Sequence, residues 1–298
     1  MTHVDEVACG IYQLQTEIPG VPFGFAVYFI AEGGGVLIEP GPAAIVPAVQ
    51  AAISHLGLES LDYIIPTHIH LDHAGGLGRL AQLFPQAKVV ANPEGARHII
   101  NPTRLIQSTR VAFGEDFEAV YGPILPVPGS QVRVVKDGER LSAGSRELVI
   151  IYTPGHASHH IAILDTRVNG LFCGEALGLI YSPGAEPLPA VAAPSLDIEV
   201  YLSTMERLRR LKPGILFYSH GGIATEPERS ISQAVANTKA IAEVVLQVVK
   251  AGKTDEEVTR NVGEFILSRF GIELSRYELT TVVSGYIYYF KKKGQLAG

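Results

Sequence analysis

Four side chains able to hold a metal ion fall within six positions. They are His68, His70, Asp72 and His73, in the segment THIHLDHAGG at 67–76. Side chains alternate along an extended chain, so His68 and His70 share one side. A turn into a helix directly afterwards swings Asp72 and His73 back towards the same space. Neutral imidazoles with a carboxylate suit a borderline divalent ion such as zinc. Leaving several histidines unpaired beside the apolar YIIP (63–66) would cost desolvation free energy without return, which weighs against a chance cluster.

Three further candidates stand, like these, at the tip of an apolar run. His156 follows ELVIIYTPG, Glu175 ends LFCGE and His220 ends LFYSH. Functional residues gather where strands give way to loops. The seven residues His68, His70, Asp72, His73, His156, Glu175 and His220 could place three imidazoles on one ion and a second set on another, with Glu175 able to bridge.

The elements that must position them alternate strand and helix. FGFAVYFIAEGGGVLIEPG (23–41) holds two apolar runs joined by EGGG, a hairpin signal. AAIVPAVQAAISHLGL (43–58) has helical spacing and stops at Gly57. LDYIIP and AKVVA read as strands, with the helix GLGRLAQLFP between them ending at Pro85. Residues near 93–126 are helix-prone and punctuated by proline, and read as a helical insertion. QVRVV, RELVIIY, HIAILD and GLFCG form a second run of strands, and SLDIEVYLSTMERLRRLKPG a helix before the last strand, ILFYSHGG. Three capping-box starts follow: Thr225 with Glu228, Thr254 with Glu257, and Ser275 with Glu278. The expected organisation is an α/β domain over 1–225 and a helical extension over 226–298 packed on it.

Composition narrows the function. Of 298 residues 47% are hydrophobic and 18% charged, enough for a large core, and the net charge of −6 argues against a nucleic-acid face. The run KKK at 291–293 reads as a solvated helix end, favoured by the helix dipole. Cys9 and Cys173 belong to no C-x-x-C pair, which fits a reducing compartment. No apolar run approaches the ~20 residues of a membrane span, and the N-terminal segment lacks the basic-then-apolar order of a signal peptide. A cytoplasmic protein acting on a small molecule is expected, without nucleic acid or membrane as partner. A homodimer is compatible with the sequence.

THIHLDHAGG, TPGHASHH, LFCGEALG and YSHGG, in that order, resemble the signature of the metallo-β-lactamase superfamily, nearest its thioesterase and lactonase branches, which are related to hydroxyacylglutathione hydrolase. The resemblance covers about residues 23–222. It implies a four-layer αββα sandwich with metals at one edge, here with the C-terminal helices added. It implies that His68, His70 and His156 hold one ion and that Asp72, His73 and His220 hold a second. Two departures stand out: Glu175 occupies the place of a bridging aspartate, and Glu39 that of an aspartate orienting a ligating histidine. An outer carboxylate of that kind contributes ~10–100-fold in metal affinity.

The implied activity is hydrolysis of a small ester, thioester or lactone. A metal-bound hydroxide is available near neutral pH, because bound water can have its pKa lowered to ~7. Two divalent ions are expected, zinc foremost, with iron or manganese as alternatives. Asp72 is counted in the catalytic machinery as well as among the ligands. Tyr181 is a candidate oxyanion donor or substrate contact. His159 and His160 read as outer partners, and Arg104, Arg110 and Tyr121 are placed by position near a substrate's acidic groups. No GxSxG motif offers a serine nucleophile. The competing readings are a persulfide-dioxygenase-like oxidoreductase with one iron on His68, His156 and Glu175, and a di-iron redox or sensor protein.

Overall fold

The computed structural model describes residues 3–21, 23–182 and 184–296; the last two residues of the expected extension lie outside them. Among the described residues, the first half of the chain builds a seven-stranded sheet in sequence order: β1 (Val4–Ala8), β2 (Ile11–Thr16), β3 (Phe25–Ile30), β4 (Val36–Ile38), β5 (Tyr63–Ile65), β6 (Lys88–Ala91) and β7 (Val132–Val134). The first four strands are antiparallel neighbours, and β4 to β7 run parallel. Parallel neighbours need crossovers. These are supplied by α1 (Val46–His55), by α2 (Leu71–Ala74) with α3 (Leu77–Leu83), and by α4 (Pro93–Ile100), α5 (Thr103–Phe113) and α6 (Phe117–Tyr121). The segment read as an insertion is thus the connection from β6 to β7.

The second half gives a six-stranded sheet ordered β13-β12-β11-β10-β9-β8. Its strands are β8 (Arg140–Ala143), β9 (Arg146–Tyr152), β10 (Ile161–Asp165), β11 (Gly170–Gly174), β12 (Ile215–Tyr218) and β13 (Ile223–Ala224). Only β11 and β12 pair in parallel, through α7 (Ile198–Arg210). Three helices close the chain: α8 (Pro227–Lys250), α9 (Asp255–Phe270) and α10 (Arg276–Lys292).

Three apolar clusters account for the layering. One lies between the sheets and includes Tyr28, Ile30, Ile38, Ile65, Ile150, Ile163 and Phe172. The second joins the outer face of the first sheet to α1, α3, α4 and α6, and the third joins the outer face of the second sheet to α7, α8, α9 and α10. The result is the expected αββα sandwich with C-terminal helices. β3 is buried at all six positions because it faces an apolar cluster on either side. Each fully buried Val, Leu, Ile or Phe contributes roughly 1.5–3 kcal/mol.

One local expectation changes. The capping boxes at Thr254 and Ser275 form, but the one at Thr225 does not. Pro227 occupies the first helical turn of α8 and fixes its own φ there, so the helix starts after Glu226 and leaves Thr225 outside. β1 carries no apolar alternation in the sequence, because it is an edge strand with no fully buried residue.

Candidate metal centre

The strands β4, β5, β9, β11 and β12 end at one edge of the sandwich, and each delivers a polar residue just beyond its last position: Glu39, His68, His156, Glu175 and His220. Backbone bonds lock these loops together. Ile161 N donates to Thr67 O at 2.8 Å, Gly41 N to His73 O at 3.2 Å, and Ala26 N to Ser219 O at 2.9 Å. His70 stands in the extended N-cap position of α2, so the chain turns there and brings Asp72 and His73 round.

Two ligand groups result. His68, His70, His156 and Glu175 form one, and Asp72, His73, Glu175 and His220 the other; within each, the candidate donor atoms lie within 4.8 Å of one another. His68 Nε2, His70 Nδ1 and His156 Nε2 converge at 2.9–3.2 Å. Glu175 is common to both groups. Its Oε2 lies 2.9 Å from His156 Nε2, 3.3 Å from His68 Nε2 and 3.6 Å from His73 Nε2.

The outward nitrogens are occupied, which turns the others inward. His156 Nδ1 donates to Ala190 O at 3.1 Å and His220 Nδ1 to Gly24 O at 2.9 Å, so each presents an Nε2 lone pair to the centre. His73 Nδ1 meets the Glu39 carboxylate, whose other oxygen accepts from Thr67 N at 2.6 Å. Glu39 holds this double contact from φ 60, a left-handed conformation unusual outside glycine. The Nε2 atoms of His73 and His220 are buried without a hydrogen-bond partner. Buried polar atoms with no partner are costly, and a divalent ion satisfies lone pairs arranged in this way. The residues fit a metal pair.

Against burial, Glu39 and Asp72 raise His73 and Glu175 raises His156, so an ion there would displace a proton, while the other two rings of the first group are depressed. Burial, then the neighbouring His73, holds His68 well below the usual imidazole pKa, and burial with His156 lowers His70 to about 4. Both imidazoles are therefore neutral and free to ligate. Burial would raise Glu175, but His156 and the hydrogen bonds to it win and keep the carboxylate ionised. Asp72 is likewise driven down, against burial, chiefly by His73.

A third rank of residues orients these groups. His160 Nε2 accepts the backbone N–H of Glu175 at 3.1 Å, and its Nδ1 bonds Thr153 Oγ1 at 2.6 Å. Tyr201 donates to Glu175 O at 2.6 Å. Gly174 has φ +53, and a Cβ there would come within 2.6 Å of Thr67 Oγ1 and 2.7 Å of His160 Nε2, so only glycine lets Glu175 approach. Tyr201 carries no sequence signal of its role, since it lies on α7 and reaches the site from outside any motif.

The remaining candidates belong to neither ligand group. Tyr181 is partly buried, its phenol held up by burial and then by Glu278 on α10. Tyr121 is buried and raised to about 12 by burial, with Asp72 next. Arg110 is tied to Glu115 at 3.0 Å, and His98 is lowered by burial, then by Arg97 and Arg104. His159 stacks 6.1 Å from His68, with Nδ1 buried and without a partner.

The family model of the metallo-β-lactamase superfamily matches residues 20–220. The chain belongs to this superfamily. A metallo-β-lactamase fold-containing protein of Sulfurisphaera tokodaii is 31% identical over 56% of this chain and 63% of its own length. A hydroxyacylglutathione hydrolase of Legionella pneumophila is 30% identical over 50% of this chain, which spans 46% of that enzyme. A metallo-β-lactamase family protein of Thermus thermophilus shares the fold with a TM-score of 0.73, at 22% identity, over 97% of this chain and 95% of that one. Among the described residues, no helix is long and apolar enough to cross a membrane.

Proposed function

We propose that this superfamily member is a two-metal hydrolase of a small ester, thioester or lactone. One observation carries the reading: two ligand groups at one sheet edge share the Glu175 carboxylate. A divalent pair, zinc foremost, supplies Lewis acidity and an acidified water when bound. The chain's own part is to hold His68, His70 and His156 on one side and Asp72, His73 and His220 on the other. Glu39 fixes the ring of His73 through Nδ1, and Ala190 and Gly24 fix those of His156 and His220. Asp72, kept ionised beside His73 and His220, would help hold the second ion and accept a hydrogen bond from the attacking water. Tyr181 is read as a substrate contact. The hydroxyacylglutathione hydrolase relatives support hydrolysis as the class, while the chain spans about half the length of the Legionella pneumophila enzyme.

The test is metal analysis of protein purified without added metal, together with turnover on a panel of esters, thioesters and lactones. Two ions per chain and chelator-sensitive hydrolysis are expected. A single iron with oxygen consumption would overturn the reading in favour of an oxygenase.

A further inference from the structure

β3 outruns its neighbour in the first sheet. β4 ends at Ile38, opposite Tyr28, where the chain leaves through Glu39 to reach His73. The edge of β3 continues past that point, and the turn after β12 of the other sheet takes it up. Ala26 N donates to Ser219 O at 2.9 Å, and Gly24 O accepts from His220 Nδ1 at 2.9 Å. Tyr28 reaches the same turn with its side chain. Its hydroxyl donates to Tyr218 O at 2.6 Å and lies 3.1 Å from Gly222 O, the two carbonyls that bracket Ser219, His220 and Gly221.

Packing alone does not ask for that hydroxyl. The Tyr28 ring meets Phe172 at 5.3 Å and Phe217 at 5.4 Å, edge to face, contacts a phenylalanine would make equally. A buried hydroxyl has to be bonded to be tolerated, and this one is bonded to the turn. Gln13, its partner across β2, donates to the phenol oxygen at 3.2 Å and leaves the single O–H proton for the carbonyls. Burial holds the phenol well above the usual tyrosine range, so it keeps the proton it donates. The turn also lies close against β2. Gly222 stands at φ 96, and a Cβ there would come within 2.9 Å of Gln15 Nε2 and 3.3 Å of Gln13 Nε2.

We propose that Tyr28 is a positioning residue for His220: its hydroxyl clasps the 218–222 turn to β3 and so sets the His220 ring for the second ion. The ion rests on the two-metal reading; the clasp does not. Asp72 and His73 follow β5 of the first sheet, whereas His220 follows β12 of the second, so the second group is assembled across the two sheets. A bond from β3 to the turn fixes the spacing between its halves. The first group takes its cross-sheet ligand, His156, from the end of β9, which the clasp does not touch.

In Tyr28→Phe the ring contacts stay and the turn loses its donor. Stepwise zinc titration of the full chain against a chromophoric chelator should show the second ion held about tenfold more weakly and the first within about twofold of the native value. In the metal-free protein, hydrogen exchange at the Ala26 amide, bonded to Ser219 O, should quicken about 2–10-fold. Tyr286→Phe removes a hydroxyl that is also fully buried, bonded to Thr238 O at 3.3 Å between α10 and α8, and should change neither reading. Should Tyr28→Phe fail to fold by circular dichroism, Gln13→Glu takes its place at pH 8. Its carboxylate offers the phenol an acceptor, draws the O–H from the turn, and must produce the same two changes. Native affinity for the second ion, equal weakening of both ions, or unaltered exchange at Ala26 overturns the proposal. A native chain that binds a single ion refutes the two-metal reading. Exchange at Ala26 then decides the clasp: quickened, it stands, and unchanged, it falls.

Discussion

Replacing Glu175 by glutamine tests the centre at its most informative atom. The side chain keeps its shape and loses its charge. Oε2 stands 2.9 and 3.3 Å from two nitrogens of the first group and 3.6 Å from His73 of the second, so both groups lose an anionic donor. The first group then has three neutral imidazoles and no carboxylate, while the second keeps Asp72. Losing even an outer carboxylate costs ~10–100-fold in affinity, or about 1.4–2.7 kcal/mol. A direct ligand is worth at least that, so the first ion should weaken by about 100-fold or more and the second by about tenfold. One effect opposes this. Glu175 raises the pKa of His156 against its burial, so the variant's His156 loses its proton more easily and competes less for the metal. Titration with a chromophoric chelator at pH 8, where that competition is smallest, isolates the ligand contribution. Glu175→Asp, which keeps the charge on a shorter arm, should fall between. Two ions bound to Glu175→Gln with the affinity of the native chain would refute direct ligation and the reasoning with it.

His160→Ala removes the acceptor of the Glu175 backbone N–H, and should lower metal affinity ~10–100-fold as an orienting partner does, read by the same titration. Arg146→Met strands Asp165, whose carboxylate is fully buried 2.6 Å from the guanidinium. It should destabilise by about 3–5 kcal/mol in urea unfolding while leaving metal affinity unchanged. Chelated protein should remain folded at neutral pH by circular dichroism, since its apolar clusters contain none of the ligands. The same metal-free protein should lose stability as the pH falls from about 6.5 towards 4. Burial depresses His68, His70, His159 and His160, so the unfolded chain takes up protons there that the folded chain refuses. The slope is up to ~1.4 kcal/mol per pH unit for each histidine, and a flat melting temperature over that range would contradict the assignment.

What was legible in the sequence follows from how local each signal is. The strands ending at Ile65, Tyr152, Gly174 and Tyr218 are short apolar runs closed by turn residues, so they and their polar tips could be read directly. The two helices with complete capping boxes were equally plain. β1 lies in the first forty residues, which read as β, but its bounds were not legible, because an exposed edge strand has no burial pattern to impose. At the site, ligand candidates announce themselves by residue type, and His160 was foreseen as an outer partner through its place beside His156. Tyr201 was not foreseen. It is an ordinary helical residue locally, and its role appears only when α7 packs against the sheet edge.

The same distinction explains why the centre tolerates two glutamates in unusual places. Glu39 and Glu175 sit on either side of His73, one against Nδ1 and the other 3.6 Å from Nε2. The ring's position is therefore a compromise between two carboxylates, each anchored independently of the other. Glu39 is tied by Thr67 N and by a left-handed backbone, and Glu175 by His160, Tyr201 and the glycine before it. Strained backbone persists only where its surroundings over-determine it. Shortening Glu39 alone should then release His73 towards the second group and weaken one ion. Shortening both, in Glu39→Asp with Glu175→Asp, should cost less than the sum of the two single changes, because the ring can recentre between the retracted carboxylates. Metal titrations of the two single variants and the double variant measure that coupling. Strict additivity would mean that the two carboxylates do not act through His73.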